Sequence, residues 1–320
     1  MSARCTRTVV AGHEAFVLEN PHLRAVVIPA LGGRIWSLED LARGRQWIWH
    51  RPGVPLAAQP VGASYDDVWA GGWEELFPND APGPFEGRAL PDHGEWWATP
   101  FAATVVEGDP LQLRMTAETR VVRAACEKTV VLAADAPRLT VRYAIRSLED
   151  APFHFLFKQH LPVALAPGCR LALPGGEAMA VDPDFGTAIR TTAPFAWPLA
   201  PAGGAPLDLR AIPDAASRTR EFLYVRDLPA PWCGVDDPEA GARLRLRFDA
   251  AAFPFTWLFL SYGGWRDVHT AVLEPCTTMP KALEAAVAAG HAARLAPRQT
   301  FRAAVSVRLG GTDEPEGGDA

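Results

Sequence analysis

Short runs in which apolar and polar residues alternate, broken by glycines and prolines, recur along the whole 320-residue chain. A period of two is the mark of strands with one buried face. It predicts strands at residues 23–29, 33–39, 111–120, 126–132, 138–147, 153–161, 242–248, 257–262, 270–274 and 300–308. One segment reads as helix: KALEAAVAA follows Pro280 and ends at Gly290, a proline suited to a first turn and a glycine suited to the position past the last, so a helix over 280–289 is expected. Two Pro/Gly-rich segments, 51–64 and 193–206, have strand patterns of one kind on both sides and read as surface loops. Residues 1–310 are therefore expected to form one domain. The acidic, Gly-rich stretch 311–320 has no apolar anchor and is expected to be a disordered tail.

Composition narrows the class of function. With 48% hydrophobic residues and 11 tryptophans, the chain has ample surface to bury and is expected to be a compact globule. A net charge of −6 offers no basic face to a polyanion, which argues against nucleic acid and leaves a small neutral or weakly charged ligand as the better partner. The five cysteines are far apart and form no CxxC pair, so neither a zinc site nor a disulfide framework is indicated, and reduced thiols in a cytoplasm are the simplest reading. The N-terminal residues lack an apolar signal core, and no run is long enough to span a membrane. A soluble, cytoplasmic protein is expected, and assembly into a homodimer stays open.

Chemistry-bearing residues cluster in a few segments. In FHFLFKQHLPV the period of two puts Phe153, Phe155 and Phe157 on one face and His154, Leu156, Lys158 and His160 on the other, a core face backed by an ionisable one. Glu274 ends an apolar strand just before the turn residues of LEPCTTMP, at a rim where binding groups often lie. His93 sits in a glycine-containing turn beside Trp96 and Trp97 in DHGEWW. In GGWEELFPND, Glu75 shares its side of the extended chain with Trp73 and Phe77 and is assigned to a cleft ahead of Glu74; a Trp/Phe core with a solvated glutamate fits the same pattern. Arg34 in GGRIWSLED can clamp a hydroxyl or carboxylate through its planar fork, or be an ordinary surface arginine. Taken singly, each residue also fits a bland role: a solvated histidine, a strand-end glutamate, a core tryptophan.

As an ordered set, PALGGRIWSLED, GGWEELFPND, DHGEWW, FKQHLPV and LEPCTTMP resemble the aldose 1-epimerase, or galactose mutarotase, superfamily in its divergent bacterial branches, over about residues 20–308. The resemblance implies an all-β fold, a large antiparallel β-sandwich with few short helices. It implies His160 as catalytic acid, Glu274 as catalytic base, His93 in contact with the sugar, and neither metal nor cofactor. Arg34, Glu75 and Lys158 join His93 as expected substrate-binding residues. Hexose-6-phosphate mutarotases carry an arginine just before the FP element, where this chain has acidic residues, so phosphate recognition is not expected. The expected activity is interconversion of the anomers of a monosaccharide or simple derivative; the alternative is a noncatalytic carbohydrate-binding protein using the same cleft.

Overall fold

A computed structural model describes residues 3–314. Two large sheets, antiparallel throughout, dominate it. The first, eight-stranded, runs in spatial order Arg170–Ala172, Trp232–Asp237, Ala242–Phe248, Thr300–Gly311, Arg138–Ser147, Ala124–Leu132, Leu111–Thr119 and Ala102–Val106. The second, seven-stranded, runs Phe195–Ala196, Glu177–Ala180, Thr219–Arg226, Phe255–Tyr262, His269–Cys276, Lys158–Ala164 and Glu74–Leu76. The 193–206 segment, expected as a surface loop, carries the short strands Phe195–Ala196 and Leu199–Ala200. In each large sheet a strand from before it is hydrogen-bonded to one from after it: Glu177–Ala180 to Thr219–Arg226, and Arg170–Ala172 to Trp232–Asp237. A five-stranded sheet starting with Arg4–Val10 joins the edge of the second through an Ile35–Trp73 bridge. This is the large antiparallel β-sandwich that the alternating pattern and the family resemblance led one to expect.

The inner faces of the two large sheets share one hydrophobic cluster. Leu113, Val141, Leu246 and Val305 come from the eight-stranded sheet, and Leu161, Leu223, Leu258 and Leu273 from the seven-stranded one. Burying each such side chain is worth about 1.5–3 kcal/mol. A slip of one residue would turn this row to the outer face and bring its polar neighbours into the core, so the register of the seven-stranded sheet is firmly fixed.

Three other local expectations need correction. The segment 153–161 is not one strand: Phe153–Phe155 pairs with Ala293–Leu295, and Lys158–Ala164 joins the seven-stranded sheet. Between them Leu156 N–H donates to the Pro78 carbonyl (2.7 Å) and Phe157 N–H to Thr277 Oγ1 (2.9 Å), so the backbone leaves one ladder before entering the next. The helix is shorter than expected, Leu283–Ala288, because Lys281 N–H is committed to the Tyr224 hydroxyl and its carbonyl to Ala81 N–H. The last strand reaches Gly311, opposite Ala242, and Arg243 binds the carbonyls of Thr312 and Glu314, so order continues past the expected start of the tail; residues 315–320 lie outside the described part.

Candidate functional site

The outer face of the seven-stranded sheet carries the site, and strand register alone explains why its groups meet. Lys158 pairs with Cys276 and Leu161 with Leu273, a register that sets His160 directly across from Glu274. On its other side His160 pairs with Glu74, and Glu274 pairs with Trp257, which pairs in turn with Tyr224. One row of the sheet therefore reads Glu74, His160, Glu274, Trp257, Tyr224, all on the face opposite the leucine core. His160 Nε2 lies 3.3 Å from Glu274 Oε1. Both line a cleft of about 300 Å³, which Trp69, Phe222, Phe259 and Trp265 wall with aromatic surface.

His93 reaches the same cleft from a loop. Glu95 N–H and Trp96 N–H both donate to the Phe77 carbonyl, at 2.7 and 3.2 Å, which pulls the turn down onto FPND. At Gly94, φ is +70° and a Cβ would stand 2.3 Å from that carbonyl oxygen, so the position needs glycine on two counts. His93 itself adopts φ +58°, stacks on the Tyr65 ring at 4.0 Å between centroids, and has Nδ1 2.7 Å from Asp92 Oδ1.

A buried cation lies behind Glu274. Lys158 Nζ donates to Asp80 Oδ2 at 2.6 Å and to Glu274 Oε2 at 3.2 Å, and sits 4.3 Å from the centre of the Trp257 ring. Burial opposes its charge, but the two carboxylates outweigh this and raise its proton affinity. Asp80 is likewise held below the ordinary carboxylate range: burial works against it, and Lys158 and His93 prevail. Glu274 goes the other way, pushed up to about 7 by burial, with Lys158 opposing and Asp80 reinforcing. Burial, then Lys158, hold His160 well below the usual histidine value, so its imidazole is neutral. His93 is held above its usual value, since Asp80 and the bond to Asp92 outweigh its burial.

His160, Glu274, His93 and Lys158 thus converge on one cleft. Two other expected binding residues do not reach it. Glu75 does share a face with Trp73 and Phe77, but those rings lie in the core between the sheets, so that face is the inner one. There Lys128, from the opposite sheet, donates to both Glu75 oxygens at 2.7 Å and Tyr143 O–H donates at 2.5 Å. Glu74, on the alternate face, is the one turned toward the site. Arg34 is buried rather than on the surface; it donates to the Gly71 carbonyl at 3.0 Å and pairs with Glu74, one layer behind the cleft. Sequence reading passed over Tyr65, Trp69 and Asp80. Tyr65 and Trp69 stand four residues apart around one helical turn, closed by Trp69 N–H on the Tyr65 carbonyl at 2.8 Å, and that spacing put two rings on one side. Asp80 sits in the loop after FP, with no periodicity to mark it.

Among the described residues no group of His, Cys, Asp and Glu is arranged to hold a metal ion, and no helix is long and apolar enough to cross a membrane. No family model matches the chain, and no curated protein matches it. Solved structures do. A provisionally named aldose 1-epimerase from Klebsiella pneumoniae superposes with a TM-score of 0.73 at 12% identity, covering 93% of this chain and 79% of that one. A galactose mutarotase-like protein from Clostridium acetobutylicum gives 0.66 at 10% identity, over 97% of this chain and 99% of that one. One from Lactobacillus casei gives 0.65 at 14%, over 92% and 100%. The chain has the fold of the galactose mutarotase-like proteins.

Proposed function

We propose that the chain is an aldose 1-epimerase-like enzyme that interconverts the α and β anomers of a monosaccharide or simple derivative in this cleft, with Glu274 as base and His160 as acid. The observation that carries the reading is the His160 Nε2 to Glu274 Oε1 contact of 3.3 Å at the wall of a sugar-sized cleft. The O1 hydroxyl and the ring oxygen O5 are attached to the same carbon and lie side by side. An acid and a base in contact fit that pair of oxygens. Glu274 takes the O1 proton as the C1–O5 bond breaks, and the His160 imidazolium gives its proton to O5; rotation about C1–C2 and the reverse transfers close the other anomer. Each general acid or base step typically contributes about 10²- to 10⁴-fold.

The electrostatics suit a reversible reaction. A protonated Glu274 beside a neutral His160, and a Glu274 carboxylate beside an imidazolium, differ only in where one proton sits. Burial favours the first state; Lys158 favours the Glu274 carboxylate but also opposes the imidazolium beside it. The aromatic wall offers apolar faces to the C–H faces of a pyranose, and Lys158 and His93 offer donors to its hydroxyls.

Polarimetry on freshly dissolved single anomers from a panel of neutral, acidic and phosphorylated sugars tests the reading. Catalysed relaxation of at least one neutral sugar is expected. Binding by calorimetry with no acceleration for any sugar would leave a carbohydrate-binding protein instead.

A further inference from the structure

We propose that Tyr65, backed by the buried Arg34–Glu74 ion pair, is a positioning residue that fixes His160 as the tautomer with its proton on Nδ1. This rests on the proposed acid–base role of His160. Tyr65 is buried, and its hydroxyl donates to Glu74 Oε1. The same hydroxyl oxygen lies 3.2 Å from His160 Nδ1. A phenol has one proton to give. Since it goes to Glu74, the oxygen turns a lone pair toward the imidazole, and Nδ1 must supply the hydrogen. Nε2 is then bare and faces Glu274 across 3.3 Å.

The direction of the relay is set from behind. Arg34 Nη2 sits on the other Glu74 oxygen, so a guanidinium faces that carboxylate from behind. Burial leaves the proton affinity of Glu74 raised, with Arg34 and the Tyr65 hydrogen bond acting against it. It is the Arg34 guanidinium on its other oxygen that holds it as a carboxylate able to accept from the phenol. Burial and Glu74 together raise Tyr65 well above the ordinary phenol value, so it keeps its proton.

Tyr65 has little freedom to do otherwise. Its ring stacks on His93, meets Trp97 edge-on at 5.1 Å, and its N–H donates to Asp92 Oδ2 at 3.0 Å. The groups facing His160 are thus Tyr65, Glu74 and Arg34 on the Nδ1 side, and Glu274, Lys158 and His93 on the cleft side. With the opposite tautomer, an Nε2–H would already point at Glu274 and Nδ1 would be bare, so Nε2 could neither take the Glu274 proton nor give up its own without leaving an imidazolate.

Tyr65→Phe keeps the ring and removes the hydroxyl. In the empty protein, long-range ¹H–¹⁵N correlation spectra report the His160 tautomer, with its signals identified by their loss in His160→Asn. The wild-type protein is expected to show the Nδ1–H form, and Tyr65→Phe a shift toward Nε2–H. For a sugar the parent accepts, kcat should fall about 10²-fold with KM within about twofold, and the pH profile should move. A wild-type Nε2–H tautomer, or the same tautomer in both proteins, overturns the relay. A tautomer that moves while the parent accelerates no sugar leaves the relay standing and sinks the epimerase reading. Should Tyr65→Phe not fold, Glu74→Gln removes the anchor of the relay with little change in shape, and the same spectra decide.

Discussion

Replacing Glu274 by glutamine removes an ionisable group from a place that disfavours its charge, with almost no change in shape. In the folded chain its carboxyl is pushed up to about 7, from an ordinary value of 4.5 that the unfolded chain restores. The difference of about 2.5 units, at 1.36 kcal/mol each, comes to about 3 kcal/mol. A group whose folded value is raised adds stability below the unfolded value and loses it as pH climbs through the folded one. Glutamine mimics the protonated carboxyl at every pH. Below pH 4.5 the variant therefore gains nothing; between 4.5 and 7 its advantage grows by about 1.4 kcal/mol per pH unit, and above 7 it levels near 3 kcal/mol. Urea unfolding of both proteins from pH 4 to 9 reads this difference directly, other titrating groups cancelling. A variant equal to or weaker than the parent at pH 8 would refute the reasoning, and would mean that the ionised Glu274 is a net stabiliser through Lys158 and a charged His160.

Lys158→Met takes away the cation 3.2 Å from Glu274 and 2.6 Å from Asp80. Glu274 should rise by roughly 1–3 units, shifting the pH profile of anomer exchange to the alkaline side by at least one unit; stranding the buried Asp80 should cost about 3–5 kcal/mol in unfolding free energy. An unmoved profile would show that Lys158 does not govern Glu274. Gly94→Ala forces a Cβ to within 2.3 Å of the Phe77 carbonyl oxygen at φ +70°, so the turn that presents His93 must shift. A loss of roughly 2 kcal/mol or more in stability is expected, with weaker sugar binding by calorimetry; a variant of parental stability would show that the turn yields without cost.

The sequence revealed more of the sheets than of the site. Period-two alternation located most of the strands that build the core, though not Thr219–Arg226 or Trp232–Asp237, and it correctly grouped Lys158 with His160 and Trp73 with Glu75 and Phe77. What alternation cannot tell is which face is inside. Glu75 went to the core because Lys128, distant in sequence, meets it there, while Glu74 took the outer face. The hairpin of Arg4–Val10 and His13–Glu19 escaped notice because the first strand is largely exposed and carries no apolar face of its own. The break at Leu156–Phe157 was equally hidden, since it depends on the Pro78 carbonyl and the Thr277 hydroxyl. Asp80 lies in a loop whose contacts are long-range, with no local pattern to mark it, whereas Tyr65 could have been read only from its four-residue spacing to Trp69.

Magnetisation-transfer NMR between the α and β anomeric protons of an accepted sugar, at equilibrium, measures the proposed chemistry without any coupling enzyme. With the parent protein, exchange should rise with protein concentration. Glu274→Gln and His160→Asn should each cut that rate by about 10²-fold or more, while calorimetry still registers sugar binding. Full exchange in either variant would contradict the assignment of His160 and Glu274 as the acid–base pair.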